Sequence, residues 1–113
     1  MSDVEFAEDV DLVDSIVLGA VEKAVRERGL SIAVDANDYL LTRLRRNLDK
    51  LLAEGSLEEH REELEANTTV LMNRVFEIHE EKSPSSNEIT LDSISEAIAW
   101  LCEHFPYFVP FCP

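Results

Sequence analysis

Phe6, Val10, Val13, Val17, Ala20 and Ala24 recur at intervals of 4, 3, 4, 3 and 4 residues, and no other feature narrows the folds open to this chain as much. A helix advances one turn per 3.6 residues, so this spacing gathers all six side chains on one face; a strand would divide them between two. Leu12, Ile16, Val21 and Val25 form a second row beside the first. The apolar face is therefore a broad stripe and not the narrow seam of a coiled coil.

Three later segments repeat the pattern. Leu41, Leu44, Leu48 and Leu51 are spaced 3, 4 and 3, with Leu40 and Leu52 alongside. Leu57, Leu64, Leu71 and Ile78 come one per seven residues, and Arg61, Thr68 and Val75 fill the positions between them. The face of that third helix is thin in its first half, which is expected to be partly exposed or to meet polar groups. Leu91, Ile94, Ile98, Leu101 and Phe105 are spaced 3, 4, 3 and 4. The sequence thus predicts an all-α four-helix bundle, with helices over about 3–28, 36–54, 57–81 and 91–105, as a single helical domain spanning 1–113.

End signals support these bounds. Ser2 with Glu5, Ser56 with Glu59 and Ser93 with Glu96 have the spacing of capping boxes, and Thr90 or Asp92 are alternative caps for the fourth helix. Asp35 or Asn37 is suited to cap the second. Gly29 follows Arg26 and Arg28 as a C-terminal stop, Gly55 ends the second helix, and Pro106 forbids continuation of the fourth. Asp9–Asp11 is a point where the first helix is expected to fray. The short turn at Gly55 predicts that the second and third helices are antiparallel neighbours. "LSIAV" (30–34) reads as an extended connector or an early helical turn, and "KSPSSNE" (82–88) as a loop. No internal repeat is visible.

The charge sets the function classes. Twenty-four acids against ten bases give a net charge of −14. A nucleic-acid binder needs cations to displace counterions from phosphate, and an anionic membrane surface repels such a chain, so direct nucleic-acid binding and membrane association are not expected. A basic protein partner, reached by electrostatic steering, is. The opening "MSDVEFAEDVDLVD" has neither the basic start nor the apolar run of a secretory leader, which points to a cytoplasmic protein. There Cys102 and Cys112 are expected as reduced thiols, Cys102 on the apolar side of the fourth helix and Cys112 near the surface; their spacing also permits a bridge. Neither has zinc-site company.

Bases are scarce at both ends: residues 1–22 and 83–113 contain none. Arg43, Arg45, Arg46 and Lys50 form a basic stripe on the second helix. Helix pairing is expected to set that stripe beside "EEHREELE" of the third.

Catalytic patterns are sparse. There is no glycine-rich phosphate loop, no G-x-S-x-G elbow, no histidine pair at helical spacing and no Glu-x-x-His, the element of carboxylate-bridged di-iron bundles. No cofactor and no metal site is expected. "RVFEIH", in which Arg74 is followed five residues on by His79, resembles the R-x4-6-H motif of HEPN-type ribonucleases, which are also helical bundles. The resemblance covers these six residues and implies RNA cleavage by Arg74 and His79 at a dimer cleft.

The last stretch, "FPYFVPFCP" (105–113), has no charge, four of the eight aromatics and three of the four prolines. Rings so placed must dock, either on their own bundle or on a partner, because an apolar patch of that size is rarely left in water. The reading is an extended, non-helical aromatic tail.

These features point to a non-catalytic acidic binding protein that recognises and neutralises a basic macromolecular partner, in the manner of immunity proteins, antitoxins or phage inhibitors that mimic nucleic acid. Its expected contact residues are Glu5, Glu8, Asp11 and Asp14 on the first helix, Glu58, Glu59, Glu62 and Glu63 on the third, and Tyr107, Phe108 and Phe111 as anchors. The alternative is a structural subunit or adaptor that forms a helical homo-oligomer such as a homodimer.

Overall fold

The structure is a computed structural model and describes residues 3–53, 55, 57–105, 111 and 112, with the side chains of 3–10, 52 and 57 outside the description. Four helices account for most of it: α1 (Asp3–Glu27), α2 (Val34–Ala53), α3 (Leu57–Lys82) and α4 (Leu91–His104). The all-α four-helix reading holds, with bounds within two residues of those predicted. α1 is unbroken through Asp9–Asp11.

α1 closes as Gly29 was expected to close it. Gly29 sits at φ 69°, the Leu30 N–H reaches the Val25 carbonyl at 2.8 Å, and the Gly29 N–H reaches that of Arg26 at 3.0 Å. This pair of bonds is a Schellman motif, and the positive φ is one that only glycine adopts without steric cost. α4 starts at Thr90, whose hydroxyl accepts from the Ser93 N–H. Glu96 therefore does not close a box with Ser93; it pairs instead with Lys82 at the end of α3. α2 begins at Val34, one residue ahead of Asp35, which lies in its first turn. The capping boxes that use Ser2 and Ser56 fall outside the described residues.

The "LSIAV" connector contains a two-residue strand, β1 (Ser31–Ile32), and the loop before α4 contains another, β2 (Glu88–Ile89). They pair in parallel, Ser31 with Glu88 and Ile32 with Ile89. The ladder gives the chain one order twice, helix–strand–helix. A parallel pair requires both strands to be entered from the same end, so α1 and α3 run side by side in the same direction. Arg28, just past α1, accordingly lies 4.1 Å over the Phe76 ring of α3.

α3 packs against both α1 and α4, while α2 lies mainly on α4. The expected antiparallel α2–α3 pair is thus replaced: the strand ladder aligns the two halves and leaves those helices in light contact. The shared core runs from Val13, Val17 and Val21 through Leu40, Leu44, Leu48, Leu71, Met72 and Val75 to Ile94, Ile98 and Leu101. Thr68, also fully buried, donates its hydroxyl to the Leu64 carbonyl at 2.7 Å, so no polar atom is left unmet there. His79, likewise buried, bonds the Ser86 carbonyl at 2.9 Å through Nε2 and pins the loop after α3.

α4 has 14 residues against 26 in α3, about 21 Å against 39 Å at 1.5 Å per residue. Phe111 compensates. It is 0% exposed and belongs to the same core cluster. Cys112 is buried beside it and bonded to Cys102, with Cα atoms 5.4 Å apart. Two expectations are corrected here. The cysteines are a disulfide and not free thiols, and Cys112 is not at the surface: the chain after α4 returns to the bundle and brings the two sulfurs together.

Candidate protein interface

The predicted contact acids divide by environment. Asp11, Glu58, Glu62 and Glu63 are exposed. Asp14 is not a free surface acid: its carboxylate accepts from the Arg45 guanidinium across the α1–α2 seam and its side chain is 14% exposed. That bond, and then the charge of Asp14, hold the Arg45 pKa above its ordinary value. A Cβ at Gly55 would collide with the Glu59 carboxylate, so Glu59 folds back over the start of α3, where a box residue belongs. Phe111 is corrected from partner anchor to core residue. Glu5 and Glu8 have side chains outside the description, and Tyr107 and Phe108 lie outside the described residues.

The bases are largely turned inward on acids and rings. Arg45 goes to Asp14, not to the acids of α3 as predicted, because α1 and not α3 lies beside it. Arg61 stays on its own helix, 3.9 Å from Glu58 and 3.7 Å from Glu65. Arg43 lies 5.9 Å from the Tyr39 ring centroid. Lys82 bonds Glu96, and that bond is the main cause raising the lysine pKa.

The surface that stands out is on the α3–α4 seam. The Arg74 guanidinium lies 4.2 Å over the Trp100 ring, and its Nη1 donates to Glu77 at 2.8 Å. The His104 ring stacks on Trp100 at 4.1 Å, with Nδ1 bonded to the Trp100 carbonyl at 2.8 Å. Phe105 meets Trp100 edge-on at 6.4 Å. Phe105 is 53% exposed and Val70, one helical turn before Arg74, is 46% exposed. Phe105 was counted in the apolar row of the fourth helix, yet it is the residue at which that helix ends, and its ring turns outward. Glu63 and Glu77 flank Val70 at seven residues on either side, on the same face of α3.

The sequence reading noted Trp100 only as one ring among the tail aromatics and Arg74 only as half of a catalytic pair. The available signals were Val70, Arg74 and Glu77 at steps of four and three, and Trp100 and His104 four apart. What they lacked was the register of α3 on α4.

The Arg74–His79 pair does not converge within one chain. Five residues turn a helix by about 500°, so the two side chains leave α3 some 140° apart. Arg74 faces the Trp100 stack while His79 is 3% exposed and bonded to Ser86. A second concavity, an open groove of about 580 Å³ between α1 and α3, is lined by Ser15, Gly19, Lys23, Arg61, Thr69 and Phe76 among others. Among the described residues no three His, Cys, Asp or Glu side chains gather as a metal group. No described helix is long and apolar enough to cross a membrane. No protein-family model, curated protein or solved structure matches the chain.

Proposed function

We propose that this chain is a non-catalytic acidic binding protein that recognises a basic macromolecular partner and neutralises it by covering it, with the Val70–Arg74–Trp100–His104–Phe105 patch as the anchor. The observation that carries the reading is that stacked, half-exposed patch on a strongly acidic molecule. Trp and Arg are the residues most enriched among interface anchors, and a rigid stack loses little entropy when it is covered. Glu63 and Glu77 supply charge on the same face for cationic residues around the partner's apolar contact. The pairing of Arg45, Arg61 and Lys82 with neighbouring acids leaves Asp11, Glu62 and Glu63 to set the outward field.

The test is capture of partners from native extract by the wild-type chain, by Val70→Ser with Phe105→Ala, and by Glu62→Lys with Glu63→Lys, each at low and high salt. A basic protein retained by wild type, lost with either double variant and released by salt is the expected outcome. Equal capture by all three chains would sink the proposal. A dimer in light scattering that Phe105→Ala dissolves would assign the patch to self-association instead.

A further inference from the structure

We propose that the Cys102–Cys112 disulfide is a redox latch that seats Phe111 in the core and, through Phe105, sets the shape of the interface patch; the second half of this inference rests on the binding reading above. α4 stops at His104, and Phe111 fills core volume beyond it with no helix of its own to hold it. The neighbouring residue, Cys112, carries the covalent tie. The tie closes directly behind the patch. Phe105 caps α4, with its N–H on the Leu101 carbonyl at 2.7 Å, and its own carbonyl faces Cys112 Sγ at 4.0 Å. Its ring, on the other side, meets Trp100.

The two sulfurs differ in access. Cys112 is 8% exposed, whereas Cys102 is only half-buried, and accessible disulfides are the reducible ones. A dithiol reductant supplies the two electrons. Its thiolate attacks Cys102 Sγ, the S–S bond breaks, and Cys112 leaves as a thiolate that takes a proton. The second thiol of the reductant then attacks the reductant's own sulfur in the mixed disulfide. Cys102 leaves and is protonated, and the reductant departs as its disulfide. Phe111 is then held by packing alone, and the chain from Phe105 onward regains the freedom that the short loop had removed.

The experiment is NMR on the isotope-labelled full chain, oxidised, treated with dithiothreitol and then reoxidised. NOEs from the Phe111 ring to core methyls, and the Trp100 indole N–H resonance, report on the two ends of the latch. Reduction is expected to abolish the NOEs and shift the indole signal, and reoxidation to restore both. A Phe111 ring that keeps its NOEs after complete reduction would overturn the latch. Cys102→Ser with Cys112→Ser should reproduce the reduced spectrum and ignore the reductant. If that variant fails to fold, the wild-type cycle alone still decides.

The coupling to the patch is read with an amphipathic Lys/Leu peptide as probe, which the oxidised, preorganised patch should bind about tenfold more tightly than the reduced one. Equal affinity in both states, with Phe111 switching, would overturn the coupling and spare the binding reading. No binding in either state, with Phe111 switching, would sink the binding reading and leave the latch standing.

Discussion

Arg74 joins a ring, an acid and a neighbouring helix, and it carries its charge while only 29% of its side chain is exposed. Truncation should separate these roles. Arg74→Ala is expected to cost only about 0.5–1 kcal/mol in urea denaturation, the range of a partly exposed cation–π contact, while changing the emission of the single tryptophan. Unchanged emission would show that the stack does not form in solution. Phe111→Ala should cost far more, about 3–5 kcal/mol, because it empties a fully buried site. A loss below about 1 kcal/mol would mean that the ring is not core. These two residues also mark how far the sequence could be read. Phe105 and Phe111 both belong to an uncharged aromatic stretch and carry the same chemistry, yet one is out and one is in. Their positions relative to the end of α4 and to Cys112 separate them, and neither relation is periodic.

At the scale of the element, the caps were legible because they are local. A cap satisfies N–H or C=O groups within four residues, so its signature lies within a single turn. Thr90→Ala should therefore cost about 1 kcal/mol through loss of the Ser93 N–H bond. Gly29→Ala should cost a similar amount, since an L side chain at φ 69° is strained although nothing crowds the position. Either variant at wild-type stability in chemical denaturation would refute its cap. The α3–α4 tie has a pH signature of known sign. Glu96 raises the Lys82 pKa in the folded state, so the folded chain holds that proton more tightly than the unfolded one. Its contribution is present at neutral pH and lost only as pH climbs through the raised lysine value. Lys82→Met should thus remove a small alkaline decline in melting temperature and leave the profile near neutrality unaltered.

The whole molecule is an elongated body of 47 × 26 × 22 Å carrying a net charge of −14. Self-repulsion on that scale works against compactness. Raising salt from about 0.01 M to 0.15 M shortens the screening length from roughly 30 Å to 8 Å, so the thermal midpoint should rise over this range while affinity for a basic partner falls. A midpoint that falls instead would mean that the internal pairs of Arg45, Arg61 and Lys82 outweigh the repulsion.

The sequence by itself determined four helices, their bounds, which face of each is buried, and the acidic character of the surface. Each of these follows from periodicity, from local hydrogen-bond chemistry or from summed charge. Only the tertiary structure decided which faces meet. Periodicity says that a stripe must be covered but not by what, so α2 lies on α4 and not on α3, and Arg45 finds Asp14 and not an acid of α3. The two-residue ladder between Ser31–Ile32 and Glu88–Ile89 is too short to leave a pattern of its own, yet it makes α1 and α3 run parallel. The register of α3 on α4 then assembles the Arg74–Trp100 stack, and the return of the chain to Cys102 buries Phe111. All of these are long-range pairings, fixed by three-dimensional fit between segments whose local sequences are compatible with more than one neighbour.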